Sequence, residues 1–226
     1  MNRPVAVILG AGMGGTAVAH ALAQDWFVIV VDREESLARP LAESVGGDWA
    51  VVDLLDVHAL AGFRDDLLAR HGRIDAVIHL VGGWRGSKTV DGDALAAWDT
   101  ISPGVFGTVR TTTVVFREPL MRSDAGRYVM VSSTAAAKPT AGNVAYATAK
   151  AAAETWVGGL DNSFKDTSAR AIIVAVKALV NESMRAESPG KEFPGYTDTT
   201  ELAEVIAGIL EPTGAPESGR IDLTEA

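Results

Sequence analysis

Short apolar runs recur along the chain and are separated by longer amphipathic segments. The runs are continuous rather than alternating, which indicates strands covered on both faces, as in a parallel sheet. We predict seven strands, at residues 5–9, 27–31, 49–52, 74–81, 127–132, 170–176 and 220–224. The amphipathic segments predict six helices, at residues 13–24, 34–45, 56–70, 93–121, 143–165 and 199–211. This alternation predicts a doubly wound α/β fold of three layers with a mainly parallel seven-stranded sheet.

One segment, residues 178–198, interrupts the alternation. It lacks clear periodicity and contains two prolines and two glycines. We predict that it forms a long loop over the carboxyl ends of the strands, where a substrate would bind. Because 226 residues lie within the range of one α/β domain and no second composition regime appears, we predict a single domain over residues 1–226.

The composition excludes several classes of function. The chain has no cysteine, which rules out disulfides, thiolate metal sites and thiol nucleophiles, and we predict no metal site. The formal net charge is −9, from 20 Lys and Arg against 29 Asp and Glu, so the chain would repel a nucleic acid backbone. The apolar run at residues 5–9 is too short for a signal peptide or a membrane span. We therefore expect a cytoplasmic protein that binds neither nucleic acid nor membrane.

A glycine-rich turn follows the first predicted strand. In VAVILGAGMGGTAVAHAL, Gly10, Gly12 and Gly15 have the spacing G-x-G-x-x-G between a strand and a helix. Glycine permits a tight turn, close approach of the backbone to a pyrophosphate and close packing of helix on strand, with the helix N-terminus facing the anion. This pattern predicts a Rossmann-type dinucleotide-binding domain, in which Met13 and Gly14 of the same turn also contact the cofactor.

Acidic residues at the ends of the second and third strands bear on which dinucleotide binds. Asp32 could accept hydrogen bonds from a ribose diol and would repel a 2′-phosphate, which favours NAD(H). The adjacent Arg33 leaves NADP(H) possible, and capping of the next helix is the alternative role for Asp32. Asp53, with Leu54 beside it, could bind the adenine amino group, whereas Asp56 is the better helix cap.

The segment VSSTAAAKPTAGNVAYATAK, residues 131–150, contains the candidate catalytic groups. Tyr146 and Lys150 lie one helical turn apart. Free tyrosine has a pKa of about 10, and a nearby ammonium group stabilises its phenolate. Tyr146 could then donate a proton to a carbonyl or imine as a hydride arrives, or remove one in reverse. The alternatives are an ordinary helix-surface pair and, for Ser133, a turn-forming hydroxyl.

This constellation resembles the short-chain dehydrogenase/reductase family. Tyr-x-x-x-Lys is accompanied by VSS, and Ser133 precedes Tyr146 by 13 residues, the spacing of the substrate-positioning serine in that family. The resemblance runs from Val5 to Thr224. It implies an NAD(P)-dependent oxidoreductase with Ser133, Tyr146 and Lys150 as catalytic residues. It also implies a homodimer or homotetramer paired through the helices predicted at 93–121 and 143–165.

Several positions depart from the usual pattern of that family. HLVGG replaces the usual Asn-Asn-Ala-Gly, so His79 is expected to take the structural place of an asparagine. Val81, Gly82 and Gly83 could still allow the backbone to approach the cofactor. Ile101 lies near the place where many members carry a catalytic asparagine, so the resemblance supports three catalytic residues rather than four.

The departures have a further resemblance, to an atypical branch of the family. The usual Pro-Gly after the sixth strand is replaced by Lys177 and Ala178, which leaves Val180 as a candidate backbone partner for the nicotinamide. Together with VGGW at 81–84, these features resemble dihydropteridine reductase, which reduces a quinonoid dihydropterin with NADH. Trp84 could stack on a flat substrate ring, with simple packing as the alternative.

The implied substrate is a small carbonyl, alcohol or ring imine. An ordinary alcohol or 3-oxoacyl reductase is the alternative within the enzyme class. A non-catalytic dinucleotide-binding sensor or scaffold is the alternative outside it, because the expected asparagines are absent.

Overall fold

The computed structural model describes residues 3–224 of the chain. The strands are Val5–Leu9 (β1), Phe27–Asp32 (β2), Asp48–Val51 (β3), Ala76–His79 (β4), Arg127–Ser133 (β5), Arg170–Val176 (β6), Leu179–Val180 (β7), Thr197–Asp198 (β8) and Arg220–Asp222 (β9). The α-helices are Met13–Leu22 (α1), Glu35–Ser44 (α2), Val57–His71 (α3), Gly92–Ser102 (α4), Thr108–Arg122 (α5), Val144–Ser163 (α6), Glu182–Glu187 (α7) and Thr199–Leu210 (α8). None of the helices within residues 3–224 is long and apolar enough to cross a membrane.

Seven strands form one sheet in the order β3-β2-β1-β4-β5-β6-β9, and every neighbouring pair is parallel. The chain builds outward from β1 through β2 to β3 and then returns to add β4 on the other side of β1. The loops after β1 and β4 therefore diverge and leave a crevice at the carboxyl edge, where doubly wound sheets bind ligands. The predicted fold is confirmed, and each of the seven predicted strands begins and ends within two residues of its observed bounds.

Two apolar layers enclose the sheet. On one face, Val7 and Leu9 of β1 belong to a cluster that includes buried residues of α3, α5 and α6. On the other face, Ala6 and Ile8 belong to a cluster that includes α1, α2 and α8. Because both faces are covered, every position of β1 is buried, which accounts for the continuous apolar runs.

The helix predicted at 93–121 runs without a break from Gly92 to Arg122, but it is not α-helical throughout. α4 and α5 are joined by a π-helical turn, Pro103–Gly107. Proline has no N–H to donate and its ring crowds the preceding turn, so Pro103 disturbs the regular α-helical pattern at this place. The turn packs against α4 and α6 through Val105.

The segment 178–198 is more ordered than the predicted single loop. β7 and β8 pair in a two-stranded parallel sheet, and α7 lies between them. Asn181 begins α7 by accepting a hydrogen bond from the backbone N–H of Met184, and Asp198 begins α8 in the same way from Thr200. The two ends of the segment are therefore fixed close together, and its irregular part is shorter than predicted. Local side-chain caps and a two-residue ladder leave no periodic signal in the sequence.

Candidate active site

A cavity of about 640 Å³ opens at the carboxyl edge of the sheet. The glycine-rich turn after β1 forms one end, and the segments after β4, β5 and β6 form the rest. Three lysines line it, Lys138, Lys150 and Lys177, and none of its lining residues is an aspartate or glutamate. In a chain of net charge −9, this cavity is an electropositive place suited to an anionic ligand.

The glycine turn owes its shape to two of its three glycines. Gly10 has φ +104°, a conformation that a residue with a side chain rarely adopts. A Cβ on Gly15 would lie 2.0 Å from the carbonyl oxygen of Gly10, so α1 can approach β1 this closely only with glycine there. Gly12, by contrast, has open space where its Cβ would be, because it faces the cavity.

The N-terminus of α1 points its first backbone N–H groups into this cavity. Gly12 is the N-cap residue and offers no side-chain hydrogen bond, while Met13, Gly14 and Gly15 line the cavity. Uncapped N–H groups and the positive end of the helix dipole favour a bound phosphate. This end of the cavity fits the pyrophosphate of a dinucleotide.

The catalytic candidates converge at the opposite end. Ser133 is the last residue of β5, and Tyr146 lies in the first turn of α6. Lys150, one turn further along α6, is 7% exposed; its Nζ donates a hydrogen bond of 2.8 Å to the carbonyl oxygen of Val131 and lies 6.0 Å from the ring centre of Tyr146. The three side chains and the glycine turn line the same cavity.

Comparison with known proteins assigns this architecture. A model of the short chain dehydrogenase family matches residues 4–191. The chain belongs to this family. NovJ, a short-chain reductase protein of Streptomyces niveus, is 34% identical over 165 residues, which cover 67% of this chain and 60% of NovJ. The chain thus spans less than two thirds of that relative's length.

Two solved structures share the fold of this short-chain dehydrogenase. An NAD+-bound xylitol dehydrogenase has a TM-score of 0.82 at 17% identity, with 97% of each chain covered. A metagenomic short-chain oxidoreductase in complex with NADP has a TM-score of 0.79 at 20% identity, with 97% of this chain and 96% of that chain covered. At these identities the likeness shows the fold alone.

The cavity of the dehydrogenase brings together eleven of the residues that the sequence singled out: Gly12, Met13, Gly14, Gly15, Val81, Gly82, Gly83, Trp84, Ser133, Tyr146 and Lys150. Six others lie outside its lining: Gly10, Asp32, Arg33, Asp53, Leu54 and Val180. Sequence reasoning missed Lys138, Asn143 and Leu179, which also line it. Lys138 and Asn143 lie between Ser133 and Tyr146 in the chain, so a segment with both ends at the site could have indicated them.

Asp32 has a structural partner that the sequence did not suggest. Its Oδ2 accepts a hydrogen bond of 2.8 Å from the backbone N–H of Ala11, and its Oδ1 accepts one of 3.1 Å from Glu34. Asp32 therefore holds the glycine turn against the end of β2, whereas the N-cap of α2 is Glu34. Arg33 beside it is 84% exposed and lies 3.8 Å from the Glu34 carboxylate.

The end of β3 has the predicted helix cap. Asp56 accepts hydrogen bonds from the N–H groups of His58 and Ala59 at the start of α3. Asp53 is exposed and accepts from the N–H of Leu55, which leaves its second carboxylate oxygen free of bonds to residues 3–224. Val180, in contrast, is fully buried in β7, while its neighbour Leu179 reaches the cavity.

Burial decides the protonation of the two titratable catalytic candidates. It raises the pKa of Tyr146, although hydrogen bonding with Ser133 acts in the opposite direction. It also lowers the pKa of Lys150 to about 8, against the opposing effect of the Glu154 carboxylate. Burial thus has the larger effect on the Tyr146 pKa in the protein without a nucleotide, so the expected lowering by Lys150 stays a prediction for the complex. Tyr146 is consequently protonated at neutral pH.

His79 is a structural residue, as its place in the sequence predicted. It is 1% exposed at the end of β4, and its Nε2 lies 3.0 Å from the hydroxyl of Thr108. That hydroxyl donates to the carbonyl oxygen of Gly104, so we assign the proton of the bond to His79. Burial, followed by the nearby charge of Lys150, lowers the pKa of His79 to about 3. The neutral imidazole joins β4 to the junction of the π-helical turn and α5.

The place of the missing asparagine is apolar. Ile101 is buried in a small cluster with Ala97, Val105, Ala145 and Ala149. Tyr146 packs against the same cluster. The Ile101 side of Tyr146 is therefore apolar. Ile101 offers no polar side chain at the place where many members of the family carry the catalytic asparagine.

Trp84 stands at the cavity mouth. Its side chain is 71% exposed, and its ring lies over the backbone of Gly86. Trp84 is therefore not packed in the interior, which was the alternative to stacking on a substrate ring. No group of three or more His, Asp or Glu side chains within residues 3–224 is arranged to hold a metal ion.

Proposed function

We propose that this short-chain dehydrogenase is an NAD(P)H-dependent reductase of a small carbonyl or ring-imine substrate, with Tyr146 as the general acid. One observation carries the proposal. Ser133, Tyr146 and Lys150 line the inner end of a cavity whose other end is an uncapped helix N-terminus. An anion-binding end and a proton-donating end in one cavity are what hydride transfer from a dinucleotide requires.

Nucleotide binding has support from the chain itself. The uncapped N–H groups of α1 and the open space beside Gly12 would receive the pyrophosphate, and Lys150 and Lys177 add positive charge. When bound, the nicotinamide supplies the hydride. The contacts proposed at Gly82 and Gly83 agree with the position of these residues on the cavity wall.

We propose that NAD(H) is preferred and NADP(H) is possible. Asp32 lies at the end of β2 beside the glycine turn, and each of its oxygens can accept a second hydrogen bond besides those in the structure. A ribose diol would donate those bonds, whereas a 2′-phosphate would be repelled. The exposed Arg33 could pair with such a phosphate, and the two solved structures above contain NAD+ and NADP.

The chain's own part in the reaction is proton transfer. The phenol of Tyr146 is protonated because burial raises its pKa, so it is ready to donate to the substrate oxygen or nitrogen as the hydride arrives. Ser133, beside it, would hold the same atom of the substrate. The Lys150 ammonium, fixed by Val131, would stabilise the phenolate that remains.

For the substrate we propose a planar heterocycle, with quinonoid dihydropterin as the first compound to test. The exposed ring of Trp84 at the mouth supports a flat partner, because stacked rings gain from contact and offset geometry. The family match does not extend to a branch, so the likeness to dihydropteridine reductase stays a prediction. Alcohol or 3-oxoacyl reduction is the competing reaction, and no observation favours a non-catalytic sensor.

We also propose that the enzyme pairs with copies of itself through α5 and α6. Val114 on α5 and Trp156 on α6 are exposed apolar side chains on these helices. Burial of such side chains against a second copy would stabilise a homodimer or homotetramer.

The test is titration of the purified protein with NADH and with NADPH, followed by energy transfer from its five tryptophans. Turnover is then measured with quinonoid dihydropterin, a 3-oxoacyl thioester and simple ketones. We expect NADH to bind more tightly than NADPH and at least one compound to be reduced. If neither nucleotide binds, the proposal is wrong, and if NADH binds but no compound is reduced, the sensor alternative gains.

A further inference from the structure

α6 carries a third ionisable residue in line with the catalytic pair. Tyr146, Lys150 and Glu154 follow each other at four-residue intervals, so they lie along one face of the helix. Lys150 reaches the sheet at Val131 of β5, and Glu154 reaches it at Arg220 of β9, whose Nε donates to Oε2 over 3.3 Å. The lysine at the site is thus followed, one turn deeper, by a carboxylate anchored to the edge strand.

We propose that Glu154, held in place by Arg220, is a positioning residue that keeps the ammonium group of Lys150 charged inside the protein. The inference rests on the proposed function only for its catalytic consequence. The effect of Glu154 on the charge of Lys150 is a property of the protein without ligand, so it can be measured without substrate.

The burial of both groups makes their attraction effective. Lys150 is 7% exposed and the Glu154 side chain is 18% exposed, so water screens the two charges poorly. Oε1 of Glu154 is buried and has no hydrogen-bond partner within residues 3–224. Arg220 therefore engages only the other oxygen, Oε2, and the first one is not committed to a second cation.

The remaining charged and titratable groups around Lys150 do not supply the same effect. They are Tyr146 on α6, His79 on β4, Tyr128 on β5, Lys138 and Lys177 across the cavity, and Arg220 and Asp222 on β9. None of the residues that line the cavity with Lys150 is a carboxylate. Asp222 instead pairs with Arg220 and accepts two hydrogen bonds from Thr224.

Two opposing effects on the pKa of Lys150 make the charge of Glu154 important. Burial lowers the pKa of Lys150 to about 8, and Glu154 opposes that fall. A lysine with a pKa this close to neutral pH loses part of its charge if the carboxylate is removed. The phenolate of Tyr146 would then lack its stabilising cation.

The experiment is an NMR titration of the lysine side chains in the full-length protein, labelled with 13C-lysine, with the Lys150 signal assigned from its loss in Lys150→Met. In Glu154→Gln we expect the Lys150 midpoint to fall by about one pH unit. In Arg220→Gln we expect it to rise, because Glu154 then keeps its charge without a neutralising partner. Opposite shifts from two partners of one ion pair are not produced by general loosening of the fold.

The matched control is Asp161→Asn. Asp161 is another α6 carboxylate paired with an arginine, Arg170, over 3.0 Å, but it lies three turns beyond Lys150. Its removal should leave the Lys150 midpoint unchanged. An unshifted midpoint in Glu154→Gln, or shifts of the same sign in Glu154→Gln and Arg220→Gln, would overturn the inference.

A second readout separates this inference from the proposed function. If the enzyme turns over, the alkaline limb of its kcat profile should move to lower pH in Glu154→Gln and return toward the wild-type value in Glu154→Asp. If the NMR midpoints shift as expected and no substrate is reduced, the role of Glu154 stands and the reductase proposal fails.

Discussion

The two ends of the candidate active-site cavity are built differently, one from backbone groups and the other from side chains. At the nucleotide end, the turn from Gly10 to Gly15 is one continuous stretch that presents backbone N–H groups and no ionisable side chain. At the catalytic end, Ser133 comes from β5, and Tyr146 and Lys150 come from α6. Backbone dipoles keep their polarity at any pH, whereas buried side chains change charge with pH. We therefore expect the first end to be sensitive to shape and the second to charge.

The largest effect is expected from Tyr146→Phe. Loss of the phenolic hydroxyl removes the proton donor, so kcat should fall by about 10²- to 10⁴-fold. The NADH affinity, measured by tryptophan energy transfer, should stay within about twofold because the glycine turn is untouched. Retention of more than a tenth of the activity would mean that Tyr146 is not the proton donor. A parallel loss of NADH binding would mean that the two ends of the cavity do not act separately.

At the nucleotide end, Gly15→Ala tests shape alone. The new Cβ would lie 2.0 Å from the carbonyl oxygen of Gly10, so α1 must move away from β1. We expect the free energy of unfolding in urea to fall by about 3 kcal/mol and NADH binding to weaken.

Gly12→Ala is the control for that substitution. A Cβ there meets nothing within 4 Å, so the stability should fall by no more than about 1 kcal/mol, the cost of alanine at an N-cap position. Equal destabilisation by the two variants would contradict the assignment of Gly15 as the packing glycine.

At the catalytic end, His79→Asn tests the cost of buried charge. The pKa of His79 is about 3 in the folded protein, against about 6.5 for an unfolded histidine. Between these values the unfolded chain binds a proton that the folded one does not, so stability falls as the pH falls, by up to about 1.4 kcal/mol per pH unit.

His79→Asn should remove this contribution, and its acid unfolding curve should be shallower than that of the wild type between pH 6 and 4. Equal slopes in denaturant titrations at several pH values would mean that His79 is not held neutral.

The smallest effect is expected from Asp32→Asn. The Asp32 carboxylate both accepts a hydrogen bond from the glycine turn and carries a negative charge. An amide keeps one acceptor for the N–H of Ala11 but loses the negative charge that opposes a 2′-phosphate. We expect the ratio of NADPH to NADH affinity to rise about tenfold, which is about 1.4 kcal/mol. Glu34→Gln removes the same charge two residues away, and if it changes the ratio equally, the effect is general electrostatics and not recognition of the ribose.

Sequence patterns predicted the sheet and most of the candidate site, because strands, glycine turns and helix faces all depend on residues that are close together in the chain. Continuous apolar runs mark strands buried on both faces, glycine spacing marks the turn, and the i, i+4 spacing of Tyr146 and Lys150 marks one helix face. The π-helical turn after Ser102 had a local signal too, since Pro103 is its first residue. The ordered part of 178–198 had none, because two-residue strands such as β7 and β8 are stabilised by pairing rather than by pattern.

The sequence by itself determined the order of the strands and helices and pointed to the candidate catalytic side chains, through short-range periodicity and spacing. Only the tertiary structure decided the charge on those side chains. Lys138 and Lys177 line the same cavity, Asp32 binds the turn at Ala11, and Arg220 of the last strand binds Glu154. Desolvation and the distance between charges set a pKa, and both arise when segments far apart in the chain are packed together.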